Sequence, residues 1–215
     1  MKIMQKIVVI DRYLKARFLF FKWRYSLALI SKLTLSLAMA GVTGLLAQIC
    51  IPLPWTPVPI TGQVLGVLLS GVVCGGTFGA VSQLFYVSLG LAGVPWFAGG
   101  TTASLVSPTF GYLIGFIITP LIIGRRTDRY IGARSFFSQL KLMMLGVGII
   151  YLSGAFVLSL VIKSGLWETL LKGVIPFILV DLVKALLAAG LSFSILPQAS
   201  YNGEIDKARY RERRY

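Results

Sequence analysis

Two charged side chains three residues apart, Asp181 and Lys184, stand in an otherwise apolar run, FILVDLVKALL, at positions 177–187. On a helix this spacing puts both on one face, about 4.5 Å apart along the axis. A charge near the middle of a bilayer costs at least about 2.5–3.5 kcal/mol, so a helix keeps one only where it faces protein or water. A carboxylate accepts hydrogen bonds and an ammonium donates three. Together they suit a neutral group that shows N–H donors beside a carbonyl, such as a cyclic urea, and suit a lone cation poorly. The plainer alternative is an ion pair that only fixes packing. Such pairs are seldom more stable than apolar substitutes, which favours a small-molecule site.

The chain lacks the parts of a reaction centre. It has no His, and within its apolar runs Asp181 is the sole acid. Paired carboxylates, a His-based triad and a metal-ligand cluster are therefore not expected in the membrane region, and neither a metal nor a resident cofactor is implied. No Gly-x-x-x-x-Gly-Lys-Ser/Thr run occurs, so the chain should not hydrolyse nucleotide itself. An intramembrane enzyme is a poor reading.

The elements that must carry the pair follow from composition. Apolar residues make up 56% of the chain and charged ones 13%, about half the usual charged share of a soluble domain. The net charge of +14 falls in blocks, 1–25, 125–141 and 207–214, that flank apolar runs. Such placement fits cytoplasmic retention of Lys and Arg and contact with anionic lipid rather than nucleic acid. The apolar runs predict spans over 26–51, 61–73, 77–93, 108–124, 142–162 and 173–196. Four prolines mark a turn at 52–60; a Gly-Gly turn joins spans two and three, and Pro108 opens span four. On these boundaries Asp181 lies about eight residues, roughly 12 Å, below the outer end of its helix.

The expected architecture is an all-α membrane protein, a bundle of six transmembrane helices with N- and C-termini cytoplasmic. Residues 1–25 form a basic amphipathic segment at the inner membrane surface, without the pattern of a cleaved secretory signal. Residues 26–197 form the membrane domain and 198–215 a basic cytoplasmic tail. Cys50 and Cys74 fall at opposite ends of their spans, too far apart to pair.

Other polar residues could converge on the charged pair: Gln63, Gln83 and Tyr86 on spans two and three, Tyr112 and Thr119 on span four. Thr101, Thr102, Ser104 and Ser107 precede the span-four N-terminus, where free backbone N–H groups favour an anion; capping is an equal reading of each hydroxyl. Trp96 and Phe97 either wall an apolar part of a ligand or belong to an interfacial aromatic belt. On span one, Ala40 and Gly44 are four apart, a spacing that lets helices approach closely, either a partner or a neighbour within the bundle.

Four stretches carry a family resemblance: IPLPWTPVPITGQVLGVLLSG at 51–71, YVSLGLAGVPWFAGG at 86–100, SPTFGYLIGF at 107–116 and DLVK at 181–184. In order and spacing the chain resembles the BioY family, the biotin-specific substrate-binding (S) components of energy-coupling factor (ECF) transporters, over roughly 28–197. The resemblance implies six helices and an outward-facing pocket in which Asp181 and Lys184 meet the ureido head of biotin; on our reading Tyr86, Trp96 and Phe97 wall its ring and chain, and Gln63, Thr102, Ser107 and Tyr112 complete the site. It implies partners: a transmembrane coupling subunit reached through small residues of the first helix, here Ala40 and Gly44, and ATPase subunits. It also implies a multi-pass protein of the bacterial cytoplasmic (inner) membrane. The segment before span four contains neither the Asn nor the Arg expected there for the ligand carboxylate. Rival readings are an S component for another vitamin and a membrane scaffold that binds no small molecule.

Overall fold

The computed structural model describes residues 2–102 and 107–198. Ser104 and all but the first residue of the 198–215 tail lie outside the described residues. Within them are eight α-helices: α1 Lys2–Ser26, α2 Leu29–Ala47, α3 Gln63–Val73, α4 Gly76–Leu91, α5 Phe110–Arg129, α6 Phe136–Ile162, α7 Leu166–Gly173 and α8 Ile178–Ile195. The proline turn does more than break a helix. Its flanks pair as two short antiparallel strands, β1 Cys50–Ile51 and β2 Ile60–Thr61, with Cys50 opposite Thr61. Pairing gives partners to backbone groups that the prolines prevent a helix from satisfying.

Among the described residues three helical stretches are long and apolar enough to cross a membrane: Leu29–Ala47, Phe136–Ile162 and the succession Leu166–Ile195. The others fail by length or charge: α3 has 11 residues, α4 has 16, and the last turns of α5 carry Arg126 and Arg129. The exterior of α6 is apolar, with Leu152 76% and Phe156 66% exposed. A face of that kind in water would be an aggregation site, whereas lipid accepts it.

Helix ends differ from the sequence expectation in three places. Helix α5 starts at Phe110, two residues after Pro108, and runs past Gly124 to Arg129, because arginines suit a helix C-terminus as well as a loop. Helix α6 starts at Phe136, where the Ser135 hydroxyl accepts from the Ser138 N–H, a standard N-cap. Span six starts late: the stretch expected as a loop before it holds α7, which ends at Gly173, a 3₁₀ turn covers Ile175–Phe177, and α8 begins at Ile178. Pro176 lacks the N–H that a continuous helix needs there.

The core lies where α2, α3, α4, α5 and α6 pack, around Val67, Leu68, Ile123, Met143 and Ile150. Gly75, at φ +83°, turns the chain from α3 into α4, a conformation that a Cβ would strain. A Cβ on Gly124 would lie 2.3 Å from the Gly76 nitrogen and one on Gly71 2.8 Å from the Pro120 oxygen. The backbones of α3, α4 and α5 therefore meet directly at this end. Cys50 and Cys74 are both free thiols.

The α2 face that carries Ala40 and Gly44 turns inward. Ala40 has no exposed surface, and a Cβ on Gly44 would touch the Trp96 ring at 3.1 Å. These small residues admit internal neighbours, one of the two readings of their spacing. The outward face instead shows Thr34, Ala38 and Val42.

Candidate ligand-binding site

Three helices, α3, α5 and α8, bring their N-terminal ends to one cavity. Its wall takes Gln63 and Val64 from α3, Tyr112, Leu113 and Phe116 from α5, and Asp181 and Lys184 from α8. The space between the atoms amounts to about 810 Å³, its open mouth included. The rest of the lining comes from the β2 side of the proline turn (Val58, Pro59, Thr61), from segment 97–109 (Phe97, Ala98, Thr101, Thr102, Ser107, Thr109), and from Ile150, Tyr151 and Phe177. Apolar walls with a few convergent polar groups are what a small-molecule site needs.

Asp181 is 4% exposed. One carboxylate oxygen accepts from Lys184 Nζ at 2.6 Å and the other from the Tyr151 hydroxyl at 2.7 Å. Because α8 begins at Ile178, Asp181 sits in its first turn, not eight residues down the helix. The shift strengthens the site, since a helix N-terminus stabilises a carboxylate. Lys184 neutralises Asp181, so the positive ends of α3 and α5, whose first turns hold no acid, are left facing the cavity. The arrangement can take a hydrogen-bonding head at Asp181 and Lys184 and an anionic group near the other two helix ends.

Seven of the nine expected site residues line this space: Asp181, Lys184, Gln63, Phe97, Thr102, Ser107 and Tyr112. Tyr86 and Trp96 do not. Tyr86 is fully buried; its ring centroid lies 4.6 Å from that of Phe97 and 5.4 Å from that of Trp96. The Trp96 indole N–H donates to the Tyr86 carbonyl at 3.0 Å. The two therefore back Phe97, and only Phe97 reaches the cavity. Gly90 makes this possible, because a Cβ there would lie 1.6 Å from the Phe97 ring. The Tyr112 hydroxyl is engaged elsewhere: it donates to the Gly173 carbonyl at 2.7 Å. That bond ties α5 to the break before α8.

Gln83 and Thr119 are not lining residues either. The Gln83 amide donates to Thr43 Oγ1 at 3.1 Å and the Thr119 hydroxyl to the Gly146 carbonyl at 3.1 Å; both join helices. Tyr151 is the residue that sequence reasoning misses. Its one signal is a hydroxyl in the middle of the 27-residue apolar helix α6, and many such tyrosines only pack.

Comparison with known proteins identifies a family. The BioY family model matches residues 17–200. The "Probable biotin transporter BioY" of Methanothermobacter thermautotrophicus is 44% identical over 147 residues, 64% of this chain and 94% of that protein. The "Biotin transporter BioY" of Thermotoga maritima is 39% identical over 141 residues, 65% of this chain and 81% of that one. Among solved structures, the S-component for biotin from an ECF-type ABC transporter superposes with a TM-score of 0.70 at 29% identity, covering 76% of this chain and 89% of that chain.

Proposed function

The chain belongs to the BioY family, and from that premise we propose that it binds biotin in the cavity at Asp181 and serves biotin uptake as an S component. It is a transporter subunit, not an enzyme; the energy comes from ATPase subunits through a transmembrane coupling subunit. The observation that carries the reading is the Asp181 carboxylate, buried at the cavity wall and held by Lys184 and Tyr151. A carboxylate fixed in this way still has lone pairs for a ureido N–H, and the ammonium has protons left for the ureido carbonyl. Phe97, Phe116 and Phe177 offer the apolar wall that the ring and chain of biotin require. The ligand carboxylate goes to the N-terminal ends of α3 and α5, where the Ser107 and Thr109 hydroxyls also lie, in place of an Asn or Arg.

The same reading sets the subunit in the cytoplasmic membrane as six transmembrane helices over 26–197, with both termini cytoplasmic. Support comes from charge: Arg17, Arg24, Arg126, Arg129 and Arg134 belong to the end of the bundle opposite the cavity, while the cavity end has Lys163, Glu168 and Lys172. That asymmetry is the one that cytoplasmic retention of basic residues produces. Helix α1 then lies against anionic lipid with Lys15 and Lys22 outward. The coupling subunit docks on the outward face of α2, at Thr34 and Ala38.

Equilibrium binding of labelled biotin to the purified protein tests the proposal. Saturable binding that desthiobiotin competes for and thiamine does not is the expected result. No binding by the folded protein overturns it.

A further inference from the structure

The helices that meet at the cavity also share a tie at their other ends, and α1 makes it. Arg17, 7% exposed, donates from Nε to the Leu196 carbonyl at 2.8 Å and from Nη2 to the Phe193 carbonyl, which closes the C-terminus of α8. Tyr13 adds a hydrogen bond from its hydroxyl to the Ser194 carbonyl at 2.7 Å. Arg24, 4% exposed, donates to the Val72 carbonyl at the end of α3 and pairs with Asp128 at the end of α5. Between the two arginines Phe21 is buried, its ring under Arg24 at 4.8 Å and Arg134 at 4.3 Å. Arg134 in turn donates to the Thr127 carbonyl at 3.0 Å and the Pro197 carbonyl at 3.3 Å. One helix therefore holds the C-terminal ends of α3, α5 and α8, the three helices that carry Gln63, Tyr112 and Asp181 at their N-terminal ends.

We infer that α1 is a positioning element for the cavity at the opposite end of the bundle, with Arg17 and Arg24 as its positioning residues. A helix is stiff along its axis, and Asp181 and Phe193 are twelve residues apart on α8, about 18 Å. Fixing the distal ends of three such rods limits how far their near ends can spread. Arginine suits the task because its planar fork meets two acceptors at once, and carbonyls at a helix C-terminus are acceptors that lack partners within the helix. Neither residue lies among those that line the cavity. Their effect on a ligand must pass through the three helices, and linkage makes that effect mutual: whatever α1 adds to ligand affinity, the ligand adds to the docking of α1.

The inference rests on the reading of the cavity as a biotin site, and the test separates the two. Biotin affinity is measured on the full chain and on Arg17→Ala/Arg24→Ala, together with amide hydrogen exchange over residues 10–26, with and without biotin. About a tenfold loss of affinity in the double variant, with biotin slowing exchange in α1 of the parent chain, is the expected result. A purely structural strap would lower the melting temperature and leave α1 exchange indifferent to biotin; that result overturns the inference, as does equal affinity in parent and variant. If the double alanine variant does not fold, Arg17→Lys/Arg24→Lys decides. It keeps both charges and loses the forked contacts, so an intermediate loss supports the inference and parent-like affinity overturns it. Absence of biotin binding by the parent chain overturns the biotin reading and this inference together.

Discussion

The two ends of α3, α5 and α8 face opposite tasks with the same backbone. At their N-terminal ends the peptide dipoles point positive poles into open space, and the side chains supplied are few: Gln63, Tyr112 and the neutralised pair of Asp181 and Lys184. At their C-terminal ends the negative poles are covered by Arg17, Arg24 and Arg134, each buried and bonded to carbonyls. Charge complementary to a helix dipole stabilises it; the protein provides that charge at all three C-terminal ends, but at the N-terminal ends only α8 has an acid, Asp181, and α3 and α5 have none. Binding capacity is what remains where the fold leaves its own electrostatics unfinished.

The sharpest way to break this comparison is Asp181→Ala, which leaves Lys184 partly buried without its counter-ion. Removing one member of a buried pair costs several kcal/mol, and a loss of biotin affinity of about a hundredfold, near 3 kcal/mol, is expected in equilibrium binding. Next is the opposite end. Arg24→Ala strands Asp128 and the Val72 carbonyl, and a drop in unfolding free energy of about 2–3 kcal/mol should appear in thermal or denaturant melts. Gly90→Ala tests the wall of the cavity end. Its methyl group would occupy the Phe97 ring position, and overpacking of that kind costs about 1–3 kcal/mol, seen as lower stability and weaker biotin binding. Tyr151→Phe should be mildest. It deletes one hydrogen bond to a carboxylate and keeps the ring, for a loss of affinity near tenfold, with little change in melting temperature.

These expectations divide the molecule by what its sequence reveals. Asp181 and Lys184 are legible because charge in an apolar run is rare and needs a reason. The proline turn and the Gly75 bend are legible because those residues restrict or permit backbone angles locally. Tyr151 is not, since its meaning depends on Asp181, thirty residues away on another helix. The arginines of α1 read as surface charge for the same reason: Arg17 finds its acceptors 176 and 179 residues along the chain. Ala40 and Gly44 show the converse limit. Small residues four apart announce a close approach, but only the rotation of α2 decides that Trp96, and not another protein, fills it. Helix ends slip where chemistry is ambiguous, as at Arg125–Arg129, equally at home in a loop or in a last helical turn.

The glycine seam of α3, α4 and α5 has a consequence for how cargo travels. Where Gly71, Gly76 and Gly124 bring main chains into contact, and Leu68, Val72 and Ile123 fill what is left, the subunit is a cul-de-sac. Among the described residues this packing floors the cavity with main chain, and swinging one side chain would not open a pore through it.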